Sequence, residues 1–347
     1  MLQKKAVFFI GAGASAEAGL PVGTQLKKQI SEMLGFEVEL GERLSDNGDN
    51  LIYKLIYHYF SNDLDTYFGA CRQISRGLIH ASSIDDFIHN FKGNKAIATC
   101  GKIAIVKAIL DAEYDSNLFF HKTNLDSTIN FDEVENTWYA AFYNLLTQGV
   151  PRDDLATVFE NLTIVCFNYD RCIEHYLVHA LINHYSLMYA EAITLVERIS
   201  IYRPYGSVGN YFDRANTYPF GSRTFPSLEA ITSSLRTYTE RTHTPSESES
   251  MLDAISEAKM LVFLGMAFHP NNMQLLYDNR ANFQSVPKEI YATRYAVSDA
   301  SMPMVYEKIN RICYSNLGDR RQNSIEHLST FQTCAALFEE YGTPMRS

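Results

Sequence analysis

At 347 residues, 46% hydrophobic and 13% aromatic, the chain can bury one large core carrying insertions, or two smaller cores. Its formal net charge of −10 excludes long-range attraction to nucleic acid, and no apolar run approaches the roughly 18 residues of a membrane span, so neither nucleic-acid binding nor membrane insertion is expected. Its six cysteines form no C-x-x-C pair, which removes the strongest structural zinc signature and points to a reduced, cytoplasmic protein.

Residues 6–10 (AVFFI) have the composition of a buried strand. Gly11 and Gly13 follow at once. With Ala16 they fit G-x-G-x-x-A, a turn whose backbone can approach a diphosphate. Lys4, Lys5 and the Ala-Ser-Ala run also suit a secretory leader, but the apolar core is shorter than the roughly 7–15 residues of one. The plain alternative is a glycine- and alanine-rich strand-to-helix turn with no ligand. Residues 26–36 (LKKQISEMLGF) put Leu26, Ile30, Met33 and Leu34 on one helical stripe. Ser83 followed by Asp85 and Asp86 reads as a helix N-terminus. Residues 134–150 are apolar at helical spacing, with Gly149 and Pro151 as a stop.

A second strand is expected at 162–167, where Cys166 packs in the core. Asn168-Tyr169-Asp170 follows it. Arg171 and Glu174 read as solvated or helix-capping groups. His175 and His179 are spaced i, i+4 on a helix, with His184 beyond, but no convincing acidic ligand joins them except Glu174, so no metal site is expected. A segment rich in Thr, Ser and Tyr at 210–256 contains THTPSESESM, read as a mobile surface loop. Further strands are expected at 260–264 and 290–297, ending in Gly265-Met266-Ala267 and in Ser298-Asp299-Ala300-Ser301.

Strand ends that carry such loops are where open parallel sheets hold ligands. The expected fold class is α/β, a Rossmann-like parallel sheet. Its core spans residues 1–36 and 161–320. A large, mostly helical insertion occupies 37–160, a second, partly mobile insertion 210–256, and a helical tail 321–347. Asn168 offers one donor pair and one acceptor, and Asp170 accepts hydrogen bonds and stabilises positive charge. Taken alone, the same triplet is an Asx-turn capping the next helix. His269, between Phe268 and Pro270 at a strand end, is a candidate for the same pocket or a hydrogen-bonded loop histidine.

These loops together resemble the sirtuin-like superfamily of NAD-consuming proteins, above all its bacterial anti-phage defence branch, which lacks the zinc ribbon. GAGASAEAGLP (11–21) is similar to the first nucleotide motif, and SSIDDFIHNF (82–91) to a segment common in that branch. CFNYDRCIEHYL (166–177) resembles the Asn-x-Asp catalytic motif, FLGMAFHPNNMQLL (263–276) the ribose-side loop, and YATRYAVSDASM (291–302) the adenosine end. The resemblance implies NAD as substrate and no zinc. It implies cofactor contacts at Gly11, Ala12, Gly13, Ser15, Gly19, Pro21, Gly206, Gly265, Met266 and Ser298. It implies catalytic roles for Asn168 and Asp170. The place of the family's His-Gly pair matches YRPYGSVG (202–209), which puts Tyr205 where the histidine belongs.

Other departures are Val22-Gly23 in place of Phe-Arg, and Phe167 in place of Gln. A tyrosine acting as base near pH 7 must overcome about 4 kcal/mol, so Tyr205 is expected to hydrogen-bond or stack. That disfavours deacylation more than hydrolysis, which asks less of a base. The expected activity is hydrolysis of the nicotinamide–ribose bond, giving nicotinamide and ADP-ribose. The resemblance also implies a homo-oligomer, an ATPase or translocase partner, and restraint until a partner or phage signal arrives. The alternative is an NAD or ADP-ribose sensor without turnover. A dehydrogenase is disfavoured, because Glu32, the acidic residue at the right distance from the glycines, lies in a helical pattern.

Overall fold

The computed structural model describes residues 1–39, 42–43, 47–123, 127–213, 218–224, 227–236, 245–278, 280, 286–295, 297–313 and 333–346. Five strands form one parallel sheet: β1 (Ala6–Ile10), β2 (Leu162–Cys166), β3 (Ser200–Tyr202), β4 (Met260–Leu264) and β5 (Glu289–Ala292). Their spatial order is β3-β2-β1-β4-β5. In register, Ile10 lies level with Cys166 on one side and Leu264 on the other. The chain winds outward from β1 through β2 to β3, then crosses back to the far side of β1. The reversal falls between β1 and β4, where a doubly wound sheet opens its ligand crevice. The expected α/β class with a parallel sheet is what the chain adopts.

Alternation sorts the strand residues onto two faces. Val7, Phe9, Val165, Leu261 and Phe263 join one core, and Phe8, Ile10, Ile164, Val262 and Leu264 the other. Phe9 and Phe263 stack at 4.4 Å on the first face. Helices of the insertion cover that face: Asn50–Tyr59, Leu64–Gly77, Ile84–Asn90 and Lys95–Tyr114. Asp49, Ser83 and Asn94 cap three of them, each accepting from a backbone N–H of the first turn. The second face is covered by Trp138–Thr147, Cys172–Tyr185 and Cys334–Arg346. The insertion therefore supplies outer layers for both faces.

The structure moves several expected boundaries. The helix expected at 26–36 runs Gly23–Met33. The segment 134–150 divides into the short Phe131–Val134 and the longer Trp138–Thr147. The strand expected at 290–297 is Glu289–Ala292; just beyond it Thr293 Oγ1 accepts from Gly265 N–H of the neighbouring loop. THTPSESESM is not wholly a loop: from Pro245 it begins the helix Pro245–Glu257, with proline at the first position as helices tolerate. Its first three residues, and the 320–321 boundary, lie outside the described residues. Among those described, no helix is long and apolar enough to cross a membrane.

Candidate functional site

Parallel strands bring the loops after all five to one edge. Gly11 N–H donates to Leu264 O at 2.9 Å, and Gly13 N–H to Gly265 O at 3.0 Å. Gly265 N–H donates to Thr293 Oγ1 at 2.8 Å. A Cβ on Gly11 would stand 2.6 Å from Gly265 O, and one on Gly265 2.0 Å from Ala14 N. Gly265 also has φ of +60°, a left-handed conformation that favours glycine. These glycines thus let two loops touch. The amides of Gly11 and Gly13 are committed to β4 and its loop, which leaves Ala12 as the freer part of the turn. Gly19 is exposed at φ +91°, Pro21 is half-buried, and Met266 is buried in the core.

Beside the switch point, on the loops after β1 and β2, sits a buried polar cluster. Asn168 Nδ2 donates to Gly11 O at 3.0 Å and to Ser15 Oγ at 2.8 Å. Ser15 in turn donates its hydroxyl to Asp170 Oδ2 at 2.7 Å. Asp170 Oδ1 accepts from Cys172 N–H at 3.1 Å, so the triplet also starts the helix Cys172–Tyr185. The Asx-turn reading therefore holds at Asp170. The phenol of Tyr139 is buried beside this cluster; burial first, then Cys172 and Asp170, hold its proton on.

Two guanidinium groups, Arg171 buried and Arg203 half-buried, support the cluster. Arg203 Nη1 donates to the carbonyls of Asn168 and Asp170, both at 2.9 Å, and Nη2 to Glu174 at 2.7 and 2.8 Å. Arg171 forks onto Glu113, with its Nη2 2.5 Å from Oε2. Its side chain is 2% exposed and that of Glu113 is 0%. The expectation that Arg171 and Glu174 are solvated is therefore corrected. Their partners, Glu113 in the insertion and Arg203 past β3, are distant in sequence, and a buried charge needs such a partner.

The loop after β3 closes over Tyr169. Val208 N–H donates to Tyr169 O at 2.9 Å, and the Tyr169 hydroxyl donates to Asp85 of the insertion. Tyr205 is 5% exposed and donates to Asn272 Oδ1 at 2.8 Å. Its ring lies 6.2 Å from that of Phe167 and 6.5 Å from that of Tyr169. Gly206 has φ of +74°, and a Cβ there would stand 2.0 Å from Ser234 O. A cavity of about 450 Å³ flanks this loop, lined by Arg203, Gly206, Ser207, Asn210, Ser234 and Arg236 among others.

Ser15, Asn168, Asp170, Gly11, Gly13 and Gly265 are thus brought together, with Tyr205 and Gly206 joined to them through Tyr169. His269 is half-buried, at the N-cap position of Pro270–Leu275 and without a capping bond. Ser298 is exposed, and its hydroxyl lies 2.9 Å from that of Ser301. His175 lies elsewhere, with Nε2 3.1 Å from the Leu118 carbonyl and Nδ1 3.0 Å from the Tyr211 hydroxyl. A carbonyl only accepts, so Nε2 carries the proton and Nδ1 accepts. Among the described residues, no three His, Cys, Asp or Glu side chains gather as metal ligands. Arg203, Asn272 and Glu113 went unread in the sequence. A basic residue directly after a strand was the one local signal, at Arg203.

Neither protein-family models nor curated proteins give a match to this chain.

Proposed function

We propose that the chain takes NAD as substrate along the carboxyl edge of its sheet and hydrolyses the nicotinamide–ribose bond. The observation that carries the reading is the Ser15–Asn168–Asp170 cluster on the loops after β1 and β2, beside the switch point of a doubly wound sheet. When nicotinamide leaves, the ribose becomes oxocarbenium-like and positive charge spreads toward the ring oxygen. A carboxylate held by two donors, as Asp170 is, is fixed in place to stabilise that charge. Asn168 has both amide hydrogens committed, which leaves its Oδ1 to orient a ribose hydroxyl or the attacking water. Membership of a sirtuin-like defence branch, self-assembly, an ATPase partner and a cytoplasmic location belong to this proposal and rest on the motif resemblance.

A second reading is binding without turnover. It is favoured by the Tyr205 phenol, which donates to Asn272 and stands in place of a histidine base.

Incubation of the purified chain with NAD followed by chromatography tests both. Nicotinamide plus ADP-ribose supports hydrolysis, and Asn168→Ala is then expected to lower turnover about a hundredfold or more while the melting temperature shows a folded chain. Unchanged NAD with a raised melting temperature supports the sensor. Neither product nor shift overturns the dinucleotide reading.

A further inference from the structure

Two carboxylates of the insertion reach the site: Glu113 holds Arg171, and Asp85 holds the Asn168–Asp170 turn itself. Asp85 stands in the first turn of Ile84–Asn90, where acidic side chains commonly serve the helix N-terminus. Here that duty is carried by its neighbours. Ser83 Oγ accepts from Asp86 N–H at 3.0 Å, and Asp86 Oδ2 accepts from Ser82 N–H at 3.3 Å and from its hydroxyl at 3.0 Å. Asp85 instead accepts from the Tyr169 hydroxyl, 84 residues away in sequence.

Tyr169 is the middle residue of Asn168-Tyr169-Asp170. The carbonyls on both sides of it are held by Arg203, and its own carbonyl by Val208 N–H. The backbone of the turn is therefore tied to the β3 loop. The middle residue of the turn is tied to the insertion through the Tyr169 side chain, which is 7% exposed; the next tie is Arg171 to Glu113. Burial also pushes the Asp85 carboxyl up to about 6, a cost that an amide in the same place would not carry.

We propose that Asp85 is a positioning residue of the site: acting through the Tyr169 hydroxyl, it holds the Asn168–Asp170 turn against the Tyr205–Val208 loop. The helical insertion thereby sets the geometry offered to a ligand, together with the sheet. The proposal rests on the dinucleotide reading only for the identity of that ligand.

Hydrogen–deuterium exchange of the full chain, without nucleotide, tests it at the amides of Cys172 and Val208. In Asp85→Ala and in Tyr169→Phe these amides are expected to exchange about tenfold faster, the scale of one lost buried hydrogen bond. A core sheet amide such as that of Phe9 keeps its wild-type rate. Asp85→Asn, which still accepts from the phenol, is expected to stay within about twofold of wild type. Wild-type exchange in Asp85→Ala and Tyr169→Phe overturns the proposal. So does an Asp85→Asn chain as loose as the alanine variant, since charge or packing would then explain the effect. A chain that neither binds nor cleaves NAD sinks the dinucleotide reading and leaves the exchange result standing.

Discussion

Asp85 illustrates how one side chain can carry opposed energies. Its hydrogen bond from Tyr169 favours the fold, while burial of its charge opposes it and lifts the carboxyl from 3.8 to about 6. The folded chain therefore holds this proton more tightly than the unfolded chain does. Its contribution is without penalty below about pH 4, and the penalty grows until pH passes about 6. Asp85→Asn is expected to match wild type near pH 4 and to exceed it by on the order of 1–2 kcal/mol at pH 7.5. Urea unfolding at the two pH values measures the difference. Equal stability at both would mean that the carboxyl is not desolvated. A second residue-scale lesson concerns Asn168 and Asp170. They were legible because polar residues two apart directly follow an apolar strand. Their supports were not: Arg203 and Glu174 are 29 residues apart and Arg171 and Glu113 are 58 apart, so no local pattern pairs them.

At the scale of elements, Glu17 joins three of them. Its Oε2 accepts from Trp138 N–H at 2.8 Å, and its Oε1 from Cys334 N–H at 2.6 Å and Ala335 N–H at 3.1 Å. One carboxylate thus stands at the first turns of two helices, where backbone N–H groups lack intrahelical partners and the dipole favours negative charge. Trp138 Nε1 adds a bond to Ala14 O at 2.8 Å. Glu17→Ala is expected to lower stability by about 2–3 kcal/mol, read by chemical denaturation. A loss under about 0.5 kcal/mol would show that water replaces the carboxylate at both helix ends. The strands Ala6–Ile10 and Met260–Leu264 were legible as continuous apolar runs. Ser200–Tyr202 was not, since it is a three-residue edge strand and only half-buried beyond an exposed Ser200. Propensity is weak where one neighbour supplies all the pairing.

For the whole molecule, acid stability turns on buried imidazoles. Burial, then Lys122, holds His179 down to about 4, and burial, then His179, holds His175 well below the ordinary histidine range. The unfolded chain binds these protons more readily, so their effect runs opposite to that of Asp85. Stability is full above about pH 6.5 and is lost as pH falls toward 4. His179→Phe keeps the aromatic contact with Phe120, 4.8 Å away. It is expected to lose about 2 kcal/mol less than wild type between pH 7 and pH 5 in urea titrations. An unchanged slope would place the acid sensitivity elsewhere. The α/β class was legible from strands that end in polar loops. The division of the insertion between the two faces was not, because helical stripes do not say which side of a sheet they cover.

The Glu17 contacts also bear on how the chain is made. Cys334 follows Glu17 by 317 residues, so at about 5–20 residues synthesised per second roughly 15–60 s separate their emergence from the ribosome. Over that interval the segment carrying Ser15 lacks one of its two helix anchors. A nascent chain therefore completes this segment late, after most of the sheet has had time to form.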